Sequence, residues 1–407
     1  MGYMRPPMTD PQAELIQSTA ASLYPNYRQP PLVMSRGEGV RLWDLAGREY
    51  LDLFAGIAVS TLGHAHPRLV SALAEQAGRV LHLSNYFYNE PNLRLAKRIC
   101  QLTGMQRVLF GNSGTEAMEA MLKLARRYFY ARGQEERFRI IAFENSFHGR
   151  TLGALAATGQ SKYRNGFGPL MGVTHVPYGD TEAVRAAMGP DVAGILVEPV
   201  QGEGGVLPAP LGFLQGLREI ADEHGALLLV DEIQTGVGRT GKFLAVEHAG
   251  VRPDALVLAK ALGGGVPIGA MLCQGHLAEA LPPGSHGSTF GGNPLASAAA
   301  LTVLDVIEEQ GLVAAATTLG EHLSRGLGTL VARYPQHLAA HRGLGLLQAV
   351  VLRPSLDPRE LASRLREAGL LLTLAGGTAL RFSPALVVSK DELDEGMAIL
   401  NRVLEAL

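Results

Sequence analysis

The feature that most limits what this chain can fold into is a rhythm of short β-rich runs. Between residues 107 and 273 seven of them recur: "RVLF" at 107–110, "RIIAF" at 139–143, "VTHV" at 173–176, "GILVE" at 194–198, "ALLLVD" at 226–231, "ALVLA" at 255–259 and "GAMLC" at 269–273. Longer amphipathic stretches lie between them. In "TEAMEAMLKLARRYFYARG", from Thr115, residues Met118, Met121, Leu122 and Ala125 share one helical face, and Gly133 is a stop. This is βαβ logic, so the pattern predicts an α/β fold with one large, mostly parallel seven-stranded sheet covered by helices.

The flanks read differently. Residues 1–66 are rich in Pro and Gly and contain a predicted hairpin, "GVRLWDLAGREYLDL", turning at Ala46-Gly47. Beyond the central rhythm, a long helical pattern from about Leu295 to Tyr334 leads into mixed elements and a helix near 391–406. The expected organisation is a large domain over 67–295 and a smaller α+β domain built from both ends, 1–66 and 296–407. A chain of 407 residues, 47% of them hydrophobic, can fill such cores. It contains no internal repeat, low-complexity segment or long linker.

Charge and cysteine content remove several classes of function. Lys and Arg total 36 against 38 Asp and Glu, so no strong field points to nucleic acid or to an anionic membrane surface. Cys100 and Cys273 are too few for a disulfide framework and fit a reducing cytosol. The start "MGYMRPPMTDPQ" has no apolar signal region, and Pro6 stands where a myristoylation signal needs Ser or Thr. No apolar run reaches the roughly eighteen residues of a membrane span. The expectation is a soluble, cytoplasmic protein whose partner is a small molecule or a second copy of itself.

In an open parallel sheet, ligands bind beyond the carboxyl ends of the strands. This chain places its unusual polar residues there: "GNSGTEA", "ENSFHGRT", "EPVQGEGG", "DEIQTG" and Lys260 each end or follow a predicted strand. Gly111 to Thr115 form a glycine turn and helix start, which suits an anion such as phosphate and equally an ordinary Ser/Thr cap. Asp231, after "LLLV", is either half of a structural ion pair or the partner of a protonated cofactor ring nitrogen. Lys260 is either a snorkelling surface lysine or an amine whose lowered pKa lets it form a Schiff base with an aldehyde; the company of the other four segments favours the second.

Three further patterns are weighed and set aside. "GVGRTGKF" at 236–243 has the G-x-x-x-x-G-K spacing of a P-loop, but Phe243 replaces the hydroxyl that would hold Mg²⁺, so it is read as a glycine-rich turn. His64 and His66 in "GHAHP" lack a completing set of metal ligands and are read as a turn leading into a helix. "GNSGT" is not the G-x-S-x-G of a nucleophile elbow.

The ordered segments "GEGVRLWDLAGREYLDLFAGIAVSTLGHAHP", "SNYFYNEP", "GNSGTEA", "FHGRT", "EPVQGEGG", "DEIQTGVGRTGKF", "AKALGGGVPIGA" and "HGSTFGGNPLA" resemble the class III pyridoxal-phosphate aminotransferases over nearly the whole chain. Within that family the likeness is strongest to members acting on N²-acetylornithine. The resemblance implies the fold type I architecture of pyridoxal-phosphate-dependent transferases and pyridoxal 5'-phosphate as cofactor. It implies Lys260 as the Schiff-base lysine and proton carrier, Asp231 at the ring nitrogen, Gln234 at the phenolic oxygen, and Ser113, Gly114 and Thr115 at the phosphate. Phe147 is expected to stack on the ring. Thr289 is expected to reach the phosphate across a homodimer interface with shared active sites, with Ser288 touching substrate there. Arg150 and Tyr27 are implied as substrate-binding residues. Arg381 is implied as the binder of the 2-oxoglutarate or glutamate α-carboxylate, with Glu203 as its acidic gate; an interdomain ion pair is the plainer reading of that arginine.

The reaction so implied moves the terminal amine of N²-acetylornithine to 2-oxoglutarate, giving N-acetylglutamate 5-semialdehyde and glutamate, a step of arginine biosynthesis. Succinylornithine, N-succinyl-diaminopimelate, ornithine and 4-aminobutyrate are alternative donors. A pyridoxal-phosphate racemase or aminomutase is the alternative of another class, separated by its indifference to 2-oxoglutarate.

Overall fold

A computed structural model describes residues 11–170 and 172–407; the reading of the stretch before Pro11 lies outside the described residues. The predicted rhythm becomes a single sheet of seven strands: β1 (Arg107–Gly111), β2 (Arg139–Phe143), β3 (Val173–Val176), β4 (Val192–Val197), β5 (Leu227–Asp231), β6 (Ala255–Leu258) and β7 (Gly269–Cys273). Their spatial order is β1-β7-β6-β5-β4-β2-β3. β7 runs antiparallel to both of its neighbours, and every other adjacent pair is parallel. Two reversals restore the direction of β1, so six strands end at one edge.

Every residue of β4, β5 and β6 is buried, as strands covered by helices on both faces must be. Each fully buried aliphatic side chain there, Ile195, Leu228 and Leu256 among them, is worth roughly 1.5–3 kcal/mol. Packing therefore outweighs the smaller differences in strand propensity. Two predicted strand ends fall outside the ladder: β4 stops at Val197 and β6 at Leu258, which releases Glu198 and Ala259 to the sheet edge.

The helix after β1 spans Gly114–Tyr130, buries Met118, Met121, Leu122 and Ala125 as its periodicity requires, and is followed by Gly133 at φ 71°. The long helical pattern near the C-terminal end is two helices, Pro294–Glu309 and Leu312–Arg333. Gly311, at φ 62°, adopts a left-handed conformation that interrupts the helical ladder.

The chain ends meet in space. The predicted hairpin forms from Arg41–Asp44 and Glu49–Asp52, with Gly47 at φ 80° in the turn. Glu49–Asp52 then pairs in parallel with Leu370–Leu371, joining the two ends in one four-stranded sheet. A second small sheet, Leu338–Leu344, Leu347–Leu352, Ala379–Phe382 and Thr373–Ala375, is antiparallel throughout and carries Arg381. The last helix, Lys390–Glu405, opens on a reciprocal Ser389–Glu392 capping box. One continuous apolar cluster links these ends to the central sheet, from Leu51 and Leu400 to Ile195 and Leu256. Among the described residues no helix is long and apolar enough to cross a membrane.

Candidate active site

At the carboxyl edge of the large sheet lies a cavity of about 410 Å³, bounded by all five of the polar segments noted above. Ser113, Gly114, Thr115, Phe147, Arg150, Glu203, Asp231, Gln234 and Lys260 line it. Ser288, Thr289 and Tyr27 do not line the cavity of their own chain; Thr289 is exposed, and Tyr27 is 75% exposed. Arg381 stands behind Glu203 and is only 1% exposed.

Lys260 begins a short 3-10 turn immediately after β6, with its backbone at φ 40°. A non-glycine residue there is strained, and such strain persists only where surrounding packing holds it. Its amine faces the cavity from enclosing walls. Desolvation, with Arg381 nearby as the next cause, pushes it down to about 8.

Asp231 ends β5, buried. His148 donates from Nδ1 to Asp231 Oδ2 (2.8 Å), and Ile233 N donates to Oδ1 (3.0 Å). His148 is itself buried, and its Nε2 has no hydrogen-bond partner among the described residues. Burial alone would lower the imidazole pKa; the hydrogen bond and charge of Asp231, with Glu198, reverse this and raise it. Glu198, just past β4, accepts from Phe147 N (3.1 Å) and Gly202 N (3.4 Å), and burial pushes its carboxyl up to about 7.

The helix start at Gly114 is a capped turn on the cavity wall. Ser113 caps the helix, accepting from Glu116 N (3.3 Å), and the same turn opens into the cavity, where the free N–H groups and positive end of a helix favour an anion. A Cβ on Gly114 would lie 2.8 Å from Ile233 Cδ1, so only glycine fits there without a shift. The Thr115 hydroxyl sits 2.9 Å from that of Thr151, which donates to Glu119 Oε1 (2.6 Å).

The two arginines differ in availability. Arg150 has no carboxylate within ion-pair distance among the described residues; its guanidinium lies 3.9 Å from the Tyr163 ring centroid and 5.5 Å from that of Phe147. Arg381 is fully engaged. Its Nη1 pairs with Glu203 Oε1 (2.7 Å) and donates to Gln234 Oε1 (3.3 Å), and its Nε donates to Thr373 Oγ1 (3.2 Å). Because the Gln234 carbonyl faces Arg381, the amide nitrogen is left as a buried donor without a partner among the described residues.

The P-loop lookalike takes no part in the cavity. Gly236 to Phe243 form a turn in which Arg239 and Thr240 are buried, packed on the helix Leu312–Arg333 through Gly238 and Gly241. His64 accepts a role in structure instead: its Nε2 is 2.7 Å from Asp52 Oδ2. His148, Glu198 and Ile233 line the cavity without having been singled out from the sequence. The signal for Glu198 was available, since it is, like Asp231, a carboxylate closing an apolar strand. Nothing local marks His148 as the partner of a residue 83 positions away.

The profile of the family described as Aminotransferase class-III matches residues 23–404. The chain is 51% identical over 382 residues to the acetylornithine aminotransferase of Myxococcus xanthus, covering 93% of this chain and 95% of the relative. It is 48% identical over 378 residues to the succinylornithine transaminase of Salmonella paratyphi A (strain ATCC 9150 / SARB42), covering 92% of each. A solved structure of the ornithine aminotransferase from Toxoplasma gondii, with PLP at partial occupancy in its active site, superposes with a TM-score of 0.93 at 36% identity, covering 97% of this chain and 94% of that one. The strand-edge cavity, its lysine and its buried aspartate are thus those of a chain that belongs to the class III aminotransferases.

Proposed function

We propose that this aminotransferase moves the terminal amine of N²-acetylornithine to 2-oxoglutarate, releasing N-acetylglutamate 5-semialdehyde and glutamate. The observation that carries the reading is the unequal state of two arginines beside one lysine: Arg150 lines the cavity with no carboxylate partner among the described residues, whereas Arg381 is held by Glu203. Two substrates that alternate in one site need two carboxylate anchors, and only one of them should be permanently available.

Class III aminotransferases depend on pyridoxal 5'-phosphate, which when bound supplies an aldehyde that condenses with primary amines and a protonated ring that withdraws electrons from the amine-bearing carbon. The residues fit that group. The helix start at Ser113, Gly114 and Thr115 suits its phosphate, and the unpartnered Gln234 amide N–H suits its phenolic oxygen. Phe147 offers an aromatic face. Asp231, oriented by His148, provides the carboxylate that keeps a ring nitrogen protonated.

The chain's own groups then divide the work. Lys260, with its amine near 8, is neutral often enough at physiological pH to take a proton from the amine-bearing carbon and to return it. Arg150 holds the donor carboxylate in a bidentate grip, for which a guanidinium is suited. While the donor occupies the site, Glu203 neutralises Arg381; when 2-oxoglutarate arrives, Glu203 turns aside and Arg381 takes its α-carboxylate.

The same reading includes a homodimer in which Ser288, Thr289 and Tyr27 complete the partner's cavity. It is supported by exposed aromatic side chains in the segments that hold Ser288 and Thr289 or touch them: Tyr86, Phe87, Tyr88 and Phe290 are 91%, 71%, 87% and 57% exposed, as an interface with a second copy would use. Asn85 donates to Ser288 O (2.9 Å), tying the two segments together. The reading also treats 67–295 as the cofactor-binding domain and 1–66 with 296–407 as the smaller one, in a cytoplasmic enzyme whose Cys100 and Cys273 are unpaired.

A second donor is favoured by one feature. A cavity of about 710 Å³ shares Glu203 with the first and presents Lys162 and Arg359, which suit an acyl group ending in a carboxylate, such as succinyl. The test is a panel of acetylated, succinylated and free ω-amino acids with 2-oxoglutarate, compared by kcat/KM. A strong preference for unacylated ornithine would overturn the substrate, and activity independent of 2-oxoglutarate would overturn the transfer itself.

A further inference from the structure

One charge near the site has no part in this scheme. Arg239, in the turn that follows Asp231 and Gln234, is 0% exposed, yet no carboxylate among the described residues lies within ion-pair distance of it. Its Nη1 donates to the carbonyls of Pro384 and Leu346 (the latter 3.4 Å), Leu346 N donates back to Arg239 O (3.0 Å), and its Nε and Nη2 have no partner among the described residues. Burial pushes the guanidinium down to about 9. A buried cation held only by carbonyls is an expensive way to fasten two loops, and an apolar side chain of similar volume often serves stability as well or better.

What the two carbonyls flank gives the expense a purpose. Pro384 lies just past the strand that carries Arg381, and Leu346 precedes the strand paired with it, in the register Ala349↔Arg381 and Gln348↔Phe382. The contact is close as well as polar: a Cβ on Gly345 would lie 2.5 Å from Thr240 C and 2.8 Å from Arg239 O. The residues leading into that turn include Gln234, whose Oε1 accepts from Arg381. Arg239 therefore clamps one end of the two-strand platform, the end nearest Arg381 where Leu346 leads into one strand and Pro384 leaves the other, to the loop that carries Gln234.

We propose that Arg239 is a positioning residue for the 2-oxo-acid half of the reaction, setting the depth and angle at which Arg381 meets either Glu203 or an incoming α-carboxylate. This rests on the reading of Arg381 as the binder of that carboxylate. Arg150 is held by different elements, so the amine-donor half is independent of the clamp. Lysine at 239 keeps a cation that can reach one carbonyl; methionine keeps the volume and loses the bonds.

The experiment uses holoenzyme variants Arg239→Met, Arg239→Lys and Arg381→Lys, with the two half-reactions followed separately by the absorbance of the bound cofactor. The expected result for Arg239→Met is an apparent KM for 2-oxoglutarate raised about tenfold, with the donor KM changed less than about threefold and Arg239→Lys intermediate. If Arg239→Met does not fold, Arg239→Lys alone must show the split. Equal shifts for both substrates, or none, in the folded variant would overturn the role of Arg239. If Arg381→Lys leaves the 2-oxoglutarate KM unchanged, the reading of Arg381 fails and the clamp with it. If Arg381→Lys raises that KM while Arg239→Met does not, only the clamp fails.

Discussion

Replacing Glu203 by glutamine tests the gate directly. In the paired state Arg381, 1% exposed, keeps only the neutral acceptors Gln234 and Thr373 once the charge of Glu203 is gone. Removing one partner of a buried ion pair costs about 3–5 kcal/mol. Glutamine still offers an acceptor, and the Glu203 side chain is 24% exposed, so a cost of about 1–2 kcal/mol is the expectation here. That cost falls on the gated state alone, because in the other state a substrate carboxylate replaces Glu203. At about 1.4 kcal/mol per factor of ten, Glu203→Gln should lower the apparent KM for 2-oxoglutarate and for glutamate about 5- to 30-fold. The variant should also lose discrimination in the donor half, accepting glutamate more readily against N²-acetylornithine. Single-turnover absorbance measurements with each amine and 2-oxo acid read both effects. Unchanged KM values with unchanged donor preference would refute the gate and reduce the Arg381–Glu203 pair to an interdomain tie.

Other outcomes follow from the same geometry. Lys260→Ala should retain cofactor affinity through Asp231 and the Ser113–Thr115 turn yet lose steady-state turnover, and normal turnover would remove Lys260 from the chemistry. In wild-type apoprotein the Lys260 amine should titrate near 8 in reductive-methylation NMR; since the unfolded chain holds that proton up to about 10.5, this group's contribution to stability should rise between the two values as pH increases. Glu198 has the opposite sign: its folded carboxyl, pushed up to about 7 from an ordinary 4.5, binds a proton that the unfolded chain releases. Stability should fall across that window by at most about 3 kcal/mol, and Glu198→Gln should flatten the fall, as Tm against pH will show. Thr289→Ala should weaken cofactor binding in the dimer; an equilibrium dialysis result equal to wild type would exclude that residue from the partner's site.

Much of this was legible locally. Strand runs of Val, Ile and Leu announced themselves because a strand buried on both faces must be apolar along its length. Asp231 and Lys260 stood out for the complementary reason: a charge closing such a run is costly unless chemistry or a partner accounts for it. The break at Gly311 was missed because Pro294–Glu309 and Leu312–Arg333 are both rich in apolar helix formers, and the backbone reveals the left-handed residue between them. His148 and Arg239 were invisible for another reason. Each sits in a motif whose local pattern says nothing about what its side chain will touch.

The sequence by itself determined the seven strands, the edge on which their polar residues gather, and the lysine and aspartate that line the cavity there, since period and polarity act over a few residues. Only the tertiary structure decided that Arg381 meets Glu203 and Gln234, that His148 orients Asp231, and that Arg239 clamps the platform beneath Arg381. Those contacts join positions from 83 apart, His148 and Asp231, to 178 apart, Glu203 and Arg381, far beyond the reach of any helical or strand period. Their partners are chosen by how the small sheet packs against the carboxyl edge of the large one, and no local pattern encodes that docking.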